Sequence, residues 1–482
     1  YWLDPNYDVD DWHKVDLVLL LKKGDLSHPK NWRPIAILDV LSKIISSIIV
    51  KHLDGHLHQV GLQEQYGFTS QQGCADATAS LKITLQNLHI DNHDTYVLFV
   101  DLVQAFNSVN REMLWKILHK YGLPETLISV IKKMYTDIEI TIQSGDASTT
   151  FSSTSGVKQG NNLAPILFLF VVQAASENMD KKWTFARPNL SILKSGRMNG
   201  PREKSKNKLS KLDFNKGFYA DDAAFVFLNK TDIIEGSKLV ANEFSRLGMT
   251  VHLGVRGTDG KADTKSKTEA VFFPSRSNED LDPAAREDFD VGNGRFISFC
   301  SVFQYLGTLI SDDLKDDIDV QARIRKARAG FAMMKPILLN RRLSLKLRVQ
   351  LYLQIPLNIA LWGCDSWALK EDHLRQLRRF HHDSIRALLG FKRIWHKERS
   401  IKMAELRERA GLPTMEPLVT DRTLGFLKKV ALMPATRLTR CMLHSQAEAN
   451  GELMRGAPAT TKAWYVRCLR NGEEGNKIVT LF

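Results

Sequence analysis

Three aspartates set in apolar surroundings are the residues of this chain best suited to chemistry. Asp221 and Asp222 are adjacent and interrupt the apolar stretch Phe218 to Phe227, which reads as a hairpin with the pair at its turn. Neighbouring carboxylates in a low dielectric repel one another unless cations lie between them. Asp101 closes a short buried-strand pattern, Tyr96 to Val100, in the same manner. Carboxylates at strand ends suit Mg²⁺, which takes few protein oxygens and leaves its other positions to phosphate and water. Two such ions, about 4 Å apart, neutralise the attacking and leaving oxygens of a phosphoryl transfer.

Positioning these groups requires a sheet with helices behind it. A helix is expected from Val109 to Lys120, so strand, acidic residue and helix follow in order. Val40 to Leu53 carries apolar residues at helical spacing, after a strand-and-turn region from Val15 to Ile37. Ile138 to Phe151 reads as a hairpin turning at Ser144-Gly145-Asp146, and a helix is expected from Pro165 to Asn178. Lys181 to Lys216 reads as a basic surface insertion and Ser275 to Gly294 as an acidic tether. A later helix, with Leu374, Leu377, His381, Ile385 and Leu388 on one face, stops at Gly390 and carries Arg375, Arg378, Arg379 and Arg386.

At 482 residues the chain is too long for one small domain, and 43% hydrophobic with 25% charged residues is an ordinary folded composition. The longest apolar run, Leu163 to Val172, contains Pro165 and falls short of the ~20 residues a membrane span needs. Five scattered cysteines fit a reducing compartment better than a disulfide framework. Tyr1 opens the chain without a signal pattern, which reads as a fragment of a longer product. Cys441 and His444 hint at a zinc knuckle that lacks two further ligands. The net charge of +13 is segregated: 181–216 holds 11 basic against 2 acidic residues, 320–400 holds 18 against 5, and the remainder is net negative. Such basic blocks suit a polyanionic partner.

The blocks in order resemble the reverse transcriptases of non-LTR, LINE-type retroelements. The residues that carry the resemblance are Phe99-Val100-Asp101 with Ala105-Phe106-Asn107, Ser155-Gly156-Val157-Lys158-Gln159-Gly160, and Tyr219-Ala220-Asp221-Asp222. Upstream, Lys22-Lys23-Gly24-Asp25-Leu26, Asn31-Trp32-Arg33-Pro34-Ile35 and Gln65-Tyr66-Gly67-Phe68 resemble the same family. Downstream, Phe303 to Gly307, Arg323-Ile324 and Leu361-Trp362-Gly363 do so too. The resemblance spans roughly Val15 to Gly390.

It implies an α+β, right-hand polymerase with fingers (1–95, incomplete at the N-terminus) and an antiparallel-sheet palm (96–310, with a basic insertion at about 180–217). A helical thumb (311–400) and a C-terminal helical extension (401–482) would follow. It implies RNA-directed DNA polymerisation: two-metal transfer of a nucleotide from a dNTP to a primer 3′-hydroxyl on an RNA template. Asp101, Asp221 and Asp222 would be catalytic, with the Leu102 carbonyl joining them around two Mg²⁺ ions for which Mn²⁺ can substitute.

Lys22, Arg33, Phe106, Gln159 and Gly160 would meet the nucleotide, Phe106 excluding a ribose 2′-hydroxyl. Lys267 would protonate departing pyrophosphate, Tyr305, Leu306 and Gly307 would form the primer grip, and Arg375, Arg378, Arg379 and Arg386 would meet nucleic acid. The implied partners are an RNA template, a DNA primer or nicked target DNA, dNTPs, and the element's own RNA in a ribonucleoprotein; no membrane is involved. The implied location is intracellular, in the nucleus, with a cytoplasmic ribonucleoprotein stage.

Leu21, Gln104, Asn107 and Asn161-Asn162 depart from the family's usual Pro, Lys, Asp and Asp-Pro. Asn107 is expected to cap the next helix through its side-chain oxygen. Two other readings stay open: an inactive retroelement relic that only binds RNA, and a group II intron-like or domesticated reverse transcriptase.

Overall fold

Apolar alternation at the N-terminus produces two strands, β1 (Lys14–Leu21) and β2 (Trp32–Ile37), paired antiparallel. They belong to a computed structural model of the protein that describes residues 13–21, 25–28, 31–144, 146–193, 209–257, 262–278, 283–391, 402–434, 436–444, 460–470 and 473–479. Helix α1 (Val40–Val60) follows, its first turn capped by the Asp39 carboxylate, which accepts from Leu41 and Ser42. It buries Ile49 and Leu53 but leaves Val40, Leu41, Ile44 and Ile48 exposed, so its apolar spacing exceeds what the core takes.

Next come α2 (Cys74–Ile90), β3 (Thr95–Val100), β4 (Leu102–Val103), α3 (Ala105–Ser108), α4 (Arg111–Lys120) and α5 (Glu125–Lys133). The predicted hairpin is β5 (Ile138–Ser144) with β6 (Ala147–Ser153), and β1 pairs parallel with β5 in a sheet ordered β2-β1-β5-β6. Helix α6 (Leu163–Lys182) is longer than expected because Pro165 falls in its first turn, where no intrahelical N–H bond is lost. It is buried along most of its length and forms the spine of one core.

Strands β7 (Asn189–Leu193) and β8 (Leu209–Asp213) pair within the predicted basic insertion. Part of that stretch is not a solvated surface. Lys216 is fully buried against Asp180, which Arg187 also meets, and Lys182 pairs with Glu243. After β9 (Lys216–Tyr219) and β10 (Asp222–Phe227) the chain runs through α7 (Lys230–Ser245), β11 (Thr250–Val251), β12 (Gly254–Arg256), β13 (Ala262–Thr264) and β14 (Glu269–Phe273).

The expected acidic tether contains β15 (Phe289–Gly292), which pairs with β16 (Arg295–Phe299). The main sheet is ordered β13-β12-β16-β14-β3-β10-β9 and is antiparallel around β3, with one parallel pair, β14 with β16. A hairpin of β17 (Val302–Tyr305) and β18 (Thr308–Ser311) follows.

Helices make up the rest: α8 (Asp317–Met333), α9 (Lys335–Leu338), α10 (Leu345–Tyr352), α11 (Asn358–Ala360), α12 (Glu371–Leu389), α13 (Met403–Ala410), α14 (Met415–Ala431), α15 (Leu438–His444), α16 (Thr461–Arg470) and α17 (Glu473–Val479). Helix α12 stops at Gly390 in the left-handed conformation, as its sequence predicted. Because side chains alternate along a strand, the main sheet feeds two cores. Val97, Phe99, Ala224 and Val226 join α2 and the C-terminal helices, whereas Leu98, Val100, Phe225 and Phe227 join α4, α6 and α7.

Helix α2 is buried on its polar side as well, and much of that side is bonded by groups from residue 316 onward. Lys82 bonds Asp316 and the Ser366 carbonyl (2.8 Å), Asp76 pairs with Lys429 (2.6 Å), and Gln86 accepts from the Thr461 N–H (3.1 Å). The fold is α+β. Among the described residues no helix is long and apolar enough to cross a membrane.

Candidate active site

The antiparallel register of β3 and β10 places Ala223 opposite Val100, so Asp101 and Asp222 leave neighbouring strand ends side by side, with Asp221 in the β9–β10 turn. Asp101 is held by its backbone at both poles. Its N–H donates to the Thr268 hydroxyl (3.1 Å) and its carbonyl accepts from His252 (2.8 Å). Leu102 pairs with Val251 across β4 and β11, fixing the next residue as well. Burial, then the charges of Asp221 and Asp101, pushes the Asp222 carboxyl up to about 6.

Among the described residues no three His, Cys, Asp or Glu side chains close into a metal cage. The donor set nonetheless fits Mg²⁺, which needs few protein carboxylates, and a cation there would offset the Asp221 and Asp101 charges that add to the effect of burial on Asp222. Lys267 extends its ammonium to 3.9 Å from Asp101, with both groups solvent-accessible.

Phe106 is half-buried at the start of α3, stacked on Phe168 (centroids 4.6 Å apart) with Phe68 edge-on at 6.4 Å. The segment from Ser155 to Gly160 threads between this region and β2. Val157 N–H donates to the Phe106 carbonyl (2.8 Å) and Ala36 N–H to that of Gln159 (2.8 Å). Gly160 has φ +112°, and a Cβ there would lie 2.3 Å from the Ala36 carbonyl oxygen. Close approach to β2 is thus one reason for a glycine at this position, beside the nucleotide contact expected of it.

Arg111 holds the same segment with bonds to the carbonyls of Gly156 (2.9 Å), Ser153 (2.7 Å) and Ser155 (2.9 Å). Beside it Lys158 is buried against the Tyr135 ring, and desolvation pushes its ammonium down to about 8. Neither role had a signal in the sequence, because both partners come from loops distant along the chain.

Arg33 is exposed on β2, three residues before the Ala36 contact, while Lys22 lies outside the described residues. The expected Asn107 cap is corrected: Asn110 caps α4, its side chain accepting from Met113 (3.0 Å), while the Asn107 carbonyl accepts from Ser155 (3.2 Å). The departures at 161 and 162 are absorbed locally. Asn161 accepts from Leu163 at the start of α6 (2.9 Å), and Asn162 donates to Ser47 (2.8 Å).

Tyr305, Leu306 and Gly307 form the β17–β18 turn, with φ +50° and +86° at the last two, the geometry of a tight two-residue hairpin turn. Phe303 stacks on Phe99 of β3 at 4.1 Å, which docks this hairpin on the strand that ends in Asp101. From the helices, Arg323 donates to the Gly307 carbonyl and Trp362 to that of Leu306 (3.4 Å). On α12, Arg379 is exposed and Arg386 partly so, while Arg375 meets Asp372 (3.2 Å). Arg378 pairs with Glu371 and Glu416, which ties α12 to α14.

Residues 20–254 match the family model for reverse transcriptase (RNA-dependent DNA polymerase). The Pol polyprotein of the type-2 retrotransposable element R2DM of Drosophila melanogaster is 28% identical over 156 residues, covering 32% of this chain and 15% of that protein. The Pol polyprotein of an R2 element of Popillia japonica is 29% identical over 161 residues, covering 33% and 22%. The probable RNA-directed DNA polymerase from transposon X-element of D. melanogaster is 23% identical over 389 residues, covering 78% and 38%. The chain therefore spans well under half the length of these relatives.

Among solved structures, telomerase from Candida tropicalis in complex with a fragment of telomeric RNA aligns over 90% of this chain and 64% of that one, at 13% identity and a TM-score of 0.41. This chain carries a reverse transcriptase domain. The three relatives named above are proteins of retrotransposable elements or transposons.

Proposed function

We propose that the chain is an RNA-directed DNA polymerase that adds deoxynucleotides to a primer 3′-hydroxyl on an RNA template. The observation that carries this reading is that Asp101 and Asp222 leave adjacent strand ends, with Asp221 next to them in the turn and the Lys267 ammonium 3.9 Å from Asp101. Asp101, Asp221 and Asp222, with the Leu102 carbonyl, would hold two Mg²⁺ ions, which when bound supply charge neutralisation at the reacting phosphate. Phe106 would close the pocket under the incoming sugar, Gln159 and Arg33 would meet the nucleotide, and Lys267 would hold a proton for pyrophosphate. Lys22 is assigned to the triphosphate by resemblance alone.

In this reading residues 1–95 serve as fingers, 96–310 as palm and 311–400 as thumb, with 401–482 bracing α2 from behind. The exposed arginines of α8 and α12 would track the phosphates of an RNA–DNA hybrid without reading sequence. The partners would be element RNA and a nicked DNA target, met in the nucleus after a cytoplasmic ribonucleoprotein stage. Single-nucleotide incorporation on an RNA template, comparing wild type with Asp101→Asn, tests the reading. Loss of incorporation in the variant with hybrid affinity intact supports it, and equal rates would remove the site from the chemistry.

A further inference from the structure

The turn that presents Asp221 and Asp222 does not hold itself. Its first residue, Ala220, has φ +56°, a left-handed conformation disfavoured for any residue with a Cβ. The segment from Glu64 to Phe68 runs alongside it. Phe218 N–H donates to the Glu64 carbonyl (2.8 Å), Tyr66 N–H donates to that of Phe218 (2.8 Å), and Gln65 bridges Phe218 in parallel.

From this rail the buried Gln65 carboxamide reaches the turn. Its Oε1 accepts from the N–H of Gly67 (2.8 Å) and from that of Ala220 (3.0 Å). Gly67 lets the backbones meet, since a Cβ there would lie 2.4 Å from the Ala220 nitrogen. The Gln65 Nε2, by contrast, has no hydrogen-bond partner among the described residues. The residue thus bears an orphaned donor while its acceptor serves the turn.

We propose that Gln65 is a positioning residue for the catalytic carboxylates, holding Ala220 left-handed so that Asp221 and Asp222 face Asp101. The inference rests on the polymerase reading and adds to it a group that touches neither substrate nor metal. If the Gln65 bond is what holds Ala220, a residue that accepts positive φ freely should make the bond dispensable. Gln65→Met, Ala220→Gly and the double variant therefore form a closed cycle.

Gln65→Met should lower kcat by on the order of ten- to a hundredfold. The dNTP KM should stay within about twofold, as expected for lost alignment and not lost binding. Hybrid affinity and melting temperature should hold, and adding Ala220→Gly should recover most of the lost rate. Calorimetric titration with Mn²⁺ alone should show weaker binding in Gln65→Met and recovery in the double variant. Wild-type rates and Mn²⁺ affinity in Gln65→Met would overturn the proposal, as would a rate loss that tracks a fall in melting temperature and ignores Ala220→Gly. If wild type itself does not extend a primer, the polymerase reading fails and the Mn²⁺ titration alone decides: affinity lost and recovered supports Gln65, unchanged affinity overturns it.

Discussion

Burial and the neighbouring charges of Asp221 and Asp101 set the Asp222 carboxyl apart from an ordinary aspartate. Its folded value of about 6 lies above the ordinary 3.8, so the native chain binds more protons between those values, and the group's contribution to stability falls as pH rises through that window. In chelator at pH 7.5, Asp222→Asn should therefore melt above wild type, and the gap should close as the pH drops toward 4; thermal melts in EDTA across pH check this. The same variant should not extend a primer. Phe106, stacked on Phe168, should set sugar choice: Phe106→Val should raise ribonucleotide over deoxynucleotide incorporation roughly 10- to 100-fold, measured as a ratio of kcat/KM. At this scale the aspartates were legible because an apolar strand runs into Asp101 and apolar strands flank Asp221 and Asp222. Gln65, Thr268 and Arg111 were not, because what they do is bond backbone groups of residues far along the chain, and such bonds leave no pattern in side-chain spacing.

Helix α2 shows how an element can be polar and buried at once. Its Lys82 is bonded to Asp316 in the core, and removing one partner of a buried pair strands the other charge. Lys82→Met should cost about 3–5 kcal/mol in urea unfolding, and extension should fall with the folded fraction. On α12, His381 lies between the Tyr352 hydroxyl (2.8 Å) and the Pro413 carbonyl (3.1 Å), and burial pushes its imidazole from 6.5 down to about 4. Between those values the unfolded chain holds the extra proton, so stability falls as pH drops through the window. His381→Gln should flatten that loss by up to about 3 kcal/mol, read from denaturant midpoints at pH 7 and 4.5. The helical period of α12 and its stop at Gly390 were readable, since both are local. The strand β15 was hidden in an acidic loop because four residues carry too little alternation, and the Asn110 cap was missed for Asn107 because two asparagines fall within one turn.

The molecule as a whole divides its charge between surface and interior. Composition marked the 181–216 stretch as a basic surface, yet Lys182, Arg187 and Lys216 are spent on Glu243 and Asp180, and spacing could not reveal partners on other elements. If the exposed arginines of the helices after residue 316 face phosphates, as proposed, hybrid affinity should drop linearly with log salt, with a slope of roughly 0.7–0.9 per phosphate contact. The C-terminal helices are structural: a chain ending at Gly390 would leave Asp76 without Lys429 and Gln86 without Thr461. It should lose its cooperative melt. If Asp101, Asp221 and Asp222 make the chain a polymerase, primer extension on an RNA template with Mg²⁺ and deoxynucleotides should separate wild type from Asp221→Asn. Extension by wild type, with none by a variant that still binds the hybrid, is the expected result. Equal extension by both, or hybrid binding by both with extension by neither, would contradict it.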